Sequence, residues 1–291
     1  MITAVALMLL TGLTWAGVGV LFGLAPADKN KIGSFFALYG IFYTFFVWLS
    51  SCPSAAPAAE VLKLAALIAP SAIGEVIAFL LLKKAMDRGN QGIAWSVVQS
   101  SMFVSFLGGV FILKNASSWT QWLGMVLILS SLILFGKAKE SGGEKKNDSI
   151  YFRYVFIAFS LVGTCQFLRI VPGYMNFSEA ALSWRLPLQC PWGMIFWLTV
   201  CCIRKNFCPA AVWKFSVPYA LVVTVGQIFF YWATDAADKL KITSIVVPVS
   251  VGSCIALFAL YCAFIRKEKT TVSSWIATGM TISGIALLAL R

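Results

Sequence analysis

Glu75 stands beside Gly74 in the middle of a long apolar run, and none of the other acidic residues lies so deep in one. A charged side chain in a hydrocarbon environment is costly and persists where it faces a cavity or a partner. Lys83 closes the run on one side, about 12 Å away at the 1.5 Å rise of a helix. A carboxylate removed from water favours its protonated form, so Glu75 is a candidate proton carrier. Gly226-Gln227 repeats the pattern in a later apolar run. An amide there holds no exchangeable charge, so only one of the two positions suits proton work.

The other polar groups embedded in apolar runs are amides set among aromatic rings. Trp15 sits mid-run, whereas tryptophan favours membrane interfaces. Gln99 follows Trp95 by one helical turn and shares its face, as Tyr231 does with Gln227. Gln166 and Gln189 complete the set. Amide and carboxyl hydrogen bonds combined with aromatic stacking suit a small polar molecule such as a sugar. Two arginines allow a different chemistry. Arg169 ends the sixth run, and Arg185 lies in the seventh, either as a buried cation or snorkelling to the interface. Its closeness to Glu179 favours snorkelling. Together the two arginines could attract an anion.

Catalysis has little to draw on. The chain has no histidine, which removes His-based acid–base chemistry and proton relays. It has no H-E-x-x-H motif, no C-x-x-C pair and no acidic cluster, so neither catalytic residues nor a metal or other cofactor is expected. The 8 cysteines fall mostly in apolar runs, where cysteine is usually a small buried hydrophobe. No G-x-x-x-x-G-K-[ST] loop occurs, so ATP-driven transport would need a partner.

What positions these residues is a stack of apolar helices. The composition is 60% hydrophobic and 12% charged, with mean hydropathy +0.86, more apolar than a soluble surface permits. Runs near 2–24, 32–50, 61–83, 91–113, 118–136, 151–171, 179–203, 211–233, 241–265 and 271–290 are each long enough to cross a bilayer. The expected fold class is therefore an all-α polytopic membrane protein of ten transmembrane helices, with the lipid bilayer as its surroundings. The first run lacks a basic leader and a cleavage site, so it is expected to be a true span. A net charge of +12 would suggest nucleic acid in a soluble protein. Here the basic residues collect at helix ends, which points to membrane orientation and to no nucleic-acid partner. Most of them flank the loops after odd-numbered runs, which places those loops in the cytoplasm and both termini outside.

The run 137–150, KAKESGGEKKNDSI, is charged and glycine-containing and reads as a linker between halves 1–136 and 151–291. At one nearly constant offset Gly74-Glu75 aligns with Gly226-Gln227, Phe79 with Tyr231, Gly12 with Gly163, Trp48 with Trp197 and Gly124-Met125 with Gly279-Met280. Halves of five helices must lie in opposite orientations, giving an inverted 5+5 repeat with its site at the interface near the midplane. Pro187 and Pro191 predict a kinked or unwound seventh helix.

Ten spans, the inverted repeat, the charged linker and the Thr14-Trp15-Ala16-Gly17 stretch resemble the drug/metabolite transporter superfamily and its EamA-like fold. The Leu24-to-Phe35 turn and the run from Gly74 to Lys114 look most like the bacterial glucose/ribose and rhamnose uptake porters. The resemblance implies alternating access around a cavity lined by helices 1, 3, 4, 6, 8 and 9, in a bacterial inner membrane. Mapped here, that lining is Trp15, Glu75, Trp95, Gln99, Gln166, Gln227 and Tyr231. The leading expectation is a secondary transporter of a small-molecule substrate, a sugar or related metabolite, with protons as candidate coupling ion through Glu75. One alternative is an exporter or exchanger of an anionic metabolite using Arg185 and Arg169, and another is a non-transporting scaffold or receptor.

Overall fold

A computed structural model of the chain describes residues 1–23, 29–88, 97–98, 100–139, 149–265 and 272–290. Among the described residues there is no strand. The architecture is a bundle of ten helices: α1 (Ile2–Gly23), α2 (Lys29–Ser51), α3 (Ala58–Arg88), α4 (Met102–Leu107), α5 (Trp119–Lys139), α6 (Ser149–Ile170), α7 (Arg185–Arg204), α8 (Trp213–Asp238), α9 (Val246–Phe264) and α10 (Val272–Ala289). Among the described residues six helical segments are long and apolar enough to cross a membrane, from Ile2–Leu21 to Trp213–Asp238. Four shorter apolar helices accompany them.

The helices carry their apolar residues all round, as expected for a bundle in apolar surroundings. Packing, not amphipathicity, therefore decides which face turns inward. α1 lies against α8 and α9, α6 against α3 and α4, α2 against α7 and α8, and α3 also against α7. α5 pairs with α10, which also packs on α9. Aromatic side chains fill the middle. Phe35 and Tyr43 of α2 are buried, and Tyr39 stacks on Tyr43 at 5.5 Å and meets Tyr219 edge-on at 5.0 Å. Other rings of α2, such as Phe45 and Trp48, face outward.

Two helices depart from the expected form. Beyond Leu107 α4 widens into a π-helix, Gly108–Ile112, in which Leu113 N–H donates to Gly108 O at 3.1 Å. Gly109 lies where a Cβ would meet Ser244 at 2.6 Å, so the extra residue per turn brings backbone tight against the α8–α9 connection. Such insertions are often found at functional sites. The remainder of the expected fourth run, 91–96 and position 99, lies outside the described residues.

The seventh run is corrected. It does not unwind between its prolines: Arg185–Arg204 is one continuous helix with Pro191 inside it. The break comes earlier, at Ser183 and Trp184, after a one-turn helix Glu179–Leu182. Pro187 then falls in the first turn, where its missing N–H is one that a helix leaves unpaired anyway. Helices α5 and α6 run to Lys139 and from Ser149, so both ends of the expected linker 137–150 are helical. Its middle, 140–148, lies outside the described residues.

Candidate functional site

α3 presents a buried stripe, Leu64, Ile68, Ser71, Ala78 and Leu82, and Glu75 belongs to it by spacing. Ile73 and Ile77, 42% and 40% exposed, mark the opposite side of the helix. The Glu75 side chain is nevertheless 33% exposed. Glu75 is therefore the partly accessible member of a stripe whose other members are buried.

Glu75 is not alone there, which corrects the picture of a solitary charge. Arg169 of α6, 5% exposed, ion-pairs through Nη2 with Glu75 Oε2. Its Nε donates to Ser71 Oγ at 3.2 Å, and Ser71 Oγ donates to Cys165 O at 3.2 Å. Ser71 with Glu75 and Cys165 with Arg169 are each one turn apart, so two adjacent turns of α3 and α6 are tied together. Gly74 makes this approach close: a Cβ there would meet Cys165 Sγ at 2.7 Å. Isolated buried charges are prohibitive, and pairing with additional hydrogen bonds is what makes them tolerable.

A second polar ladder bridges α7 and α8, both of which pack on α2. Arg185 donates from Nη2 to Asp235 Oδ1 at 2.5 Å and from Nε to Leu182 O at 3.1 Å. Its guanidinium carbon lies 4.8 Å from the centroid of the Tyr231 ring. One turn deeper, Tyr231 Oη donates to Gln189 Oε1 at 2.5 Å. Arg185 is 4% exposed and Asp235 41%. The snorkelling expectation for Arg185 is thus overturned: Asp235, one turn past Tyr231 on the same face, holds the cation inside.

The remaining expected residues divide. Trp15 stacks on Phe230 at 5.6 Å and lies against Gly226, where a Cβ would come within 3.0 Å of its ring. Gln227 is 7% exposed and its Oε1 has no hydrogen-bond partner, as is also true of buried Gln166 Oε1. Glu75, Gln166, Arg169, Arg185, Gln189, Gln227 and Tyr231 all lie on faces of α3, α6, α7 and α8 that carry buried residues. Trp95 and Gln99 lie outside the described residues.

Sequence reasoning missed three groups. Asp235 was passed over because it lies close to a helix end. Ser71 carries no signal of its own until Arg169 is placed beside it. The third is a knot at one end of the bundle: Tyr174 Oη reaches Asn115 Oδ1 at 2.5 Å and Thr243 Oγ1 at 2.7 Å. It joins the segments that follow α4, α6 and α8. At the same end Glu60 Oε2 accepts from Ser178 N and Oγ, and Trp184 Nε1 donates to Ser54 O. Among the described residues no group of three or more His, Cys, Asp or Glu could hold a metal ion.

No family model matches the chain, and no curated protein does. A solved structure described only as "Crystal structure of protein" superposes on it with a TM-score of 0.71 at 12% identity, covering 99% of this chain and 98% of the other. The likeness is one of fold. It extends over essentially the full length of both chains.

Proposed function

We propose that this chain is a secondary active transporter that carries a small polar metabolite across a membrane by alternating access, built from inverted halves 1–136 and 151–291. The observation that carries the reading is how the packing behaves when the halves are exchanged. Replacing each helix of the first half by its counterpart turns the α1 contacts with α8 and α9 into the α6 contacts with α3 and α4. The same exchange turns α2 on α8 into α7 on α3, and leaves α2 on α7 and α5 on α10 unchanged.

Individual residues follow the same exchange. Gly74 against Cys165 corresponds to Gly226 against Thr14, and Gly163 against Ser101 corresponds to Gly12 against Ser253. Two halves related in this way can rock against each other about a site at their interface, the arrangement that inverted repeats provide in transporters. Gly279 does not follow it, since nothing approaches it, whereas Gly124 crosses Gly284. That part of the alignment has no packing counterpart.

Residues at the interface supply binding chemistry: carboxylate, guanidinium, amide and indole groups face inward around Glu75 and Tyr231. The resemblance to sugar uptake porters of the drug/metabolite superfamily fits the amides and Trp15, and a bacterial inner membrane with both termini outside fits the distribution of basic residues. Proton coupling through Glu75 requires the pair with Arg169 to open during the cycle. The anionic-cargo alternative is less well supported, because both arginines are already matched by Glu75 and Asp235.

The test is flux. Purified protein in proteoliposomes is offered a labelled panel of neutral sugars and amino acids, with and without a pH gradient. The expected result is saturable uptake of one class in the wild type, with the response to the gradient lost in Glu75→Gln. Folded protein that moves no member of the panel in either direction would favour a scaffold or receptor.

A further inference from the structure

A neutral sugar has no need of two arginine–carboxylate pairs inside an apolar bundle, and a packed bundle of this kind is held together as well or better by apolar residues in their place. The two pairs share a polarity. Each guanidinium is nearly enclosed, at 5% and 4% exposure, while each carboxylate is open, at 33% and 41%. Tyr231 lies under Arg185, whose guanidinium carbon is 4.8 Å from the ring centroid. Two enclosed amide oxygens on the same helices have no hydrogen-bond partner. Gln166 Oε1 lies three residues before Arg169 on the same face of α6, and Gln227 Oε1 lies one turn before Tyr231. Arg185 Nη1 is a buried donor without a partner.

We propose that the cargo is a small zwitterion carrying an ammonium and a carboxylate, which binds by inserting into the Glu75–Arg169 pair. This rests on the transporter reading and narrows its substrate class. The ligand's ammonium takes the open Glu75 carboxylate. The ligand's carboxylate takes Arg169. Every charge keeps an opposite partner before and after binding. A ligand with one charge would leave either Glu75 or Arg169 unmatched in the interior, and a neutral one could open the pair only by stranding both. Arg185–Asp235, nearer the helix end where Asp238 also lies, stays a matched pair throughout.

The test measures binding, so that its failure is separable from a failure of transport. Full-length protein in nanodiscs is titrated with an α-amino acid panel, with the N-acetyl and the amide derivative of each member, and with glucose, ribose and rhamnose. The expected result is thermal stabilisation by at least one unmodified amino acid, weakened tenfold or more in both singly charged derivatives. The Glu75→Gln/Arg169→Gln double variant removes both charges together, so it keeps the bundle electrically balanced. It is expected to lose the amino-acid response. Stabilisation by a sugar that survives in the double variant would overturn the proposal, as would equal stabilisation by a singly charged derivative or no response to any unmodified amino acid. Binding without flux would leave the zwitterion site standing and remove the transporter reading.

Discussion

Arg169 is fastened to α3 at two successive turns, to Glu75 through Nη2 and to Ser71 Oγ through Nε at 3.2 Å. Removing either end of this arrangement is not equivalent. Arg169→Leu strands a carboxylate that is one-third exposed and can take up a proton, whereas Glu75→Gln strands a nearly enclosed guanidinium that stays charged, with a neutral amide and Ser71 Oγ to accept from it. Loss of one partner of a buried pair costs about 3–5 kcal/mol. Arg169→Leu is expected near the lower end of that range, because Glu75 keeps partial access to water, and Glu75→Gln towards its upper end. Unfolding in mixed detergent micelles measures both. Equal losses would mean that the two charges are held by other groups.

Tyr231 serves two neighbours by two different means, a hydroxyl to Gln189 and a ring face to Arg185. Tyr231→Phe removes the first and keeps the second, and is expected to cost about 1 kcal/mol for the hydrogen bond. Tyr231→Leu also removes the cation–π contact, worth about 1–2 kcal/mol when desolvated. The difference between the two variants should vanish in an Arg185→Met background. A double-mutant cycle in thermal stability checks this, and a difference that persists would show that the ring acts through packing alone.

Much of the helix layout could be read directly from the sequence, because it follows from the lengths of apolar runs and from the charges that end them. The site could be read only in part, for an identifiable reason. Glu75 and Arg169 are far apart in sequence and on different helices, so nothing local says that they meet. Arg185 looked as though it would reach for water because Glu179 was close along the chain. Its actual partner, Asp235, comes from the end of α8, and a single arginine's rotamer cannot be inferred without knowing which helix stands opposite. Pro187 misled for a similar reason: a proline breaks a helix in its interior and is harmless in the first turn, and which of these applied depended on where the helix began.

The Tyr174 knot ties three connecting segments at one end of the bundle, and alternating access would require it to open there. Tyr174→Phe removes both of its hydrogen bonds, to Asn115 and Thr243, and Asn115 Nδ2 is already without a partner. The variant should expose amides of the 3-10 turn Val171–Tyr174 and of Thr243–Ile245 to exchange about ten-fold faster, equivalent to about 1.4 kcal/mol of local opening. Amides in the middle of α5 and α10 should be unaffected. Hydrogen exchange with mass-spectrometric readout distinguishes this local release from global loosening, in which protection would fall throughout.

Glycines of similar appearance in the sequence have opposite roles, and alanine separates them. At Gly226 an added Cβ would stand 2.7 Å from Thr14 Oγ1 and 3.0 Å from the Trp15 ring, so α1 must move away from α8 to admit it. At Gly279 nothing lies within 4 Å. Glycine inside a helix is less favourable than alanine by about 1 kcal/mol, so Gly279→Ala should stabilise the protein by up to that amount. Gly226→Ala forfeits the same gain to overpacking, which costs about 1–3 kcal/mol, and should lower stability overall. Because α1 and α8 belong to different halves of the proposed repeat, the displacement at Gly226 also separates surfaces that would slide in the proposed alternating access. Gly226→Ala should therefore lower the rate of uptake at saturating substrate, and Gly279→Ala should leave it unchanged. Flux per folded protein in proteoliposomes, measured beside the unfolding midpoint of each variant, decides the matter. An uptake defect of equal size in both variants would separate the rate from the packing of α1 on α8.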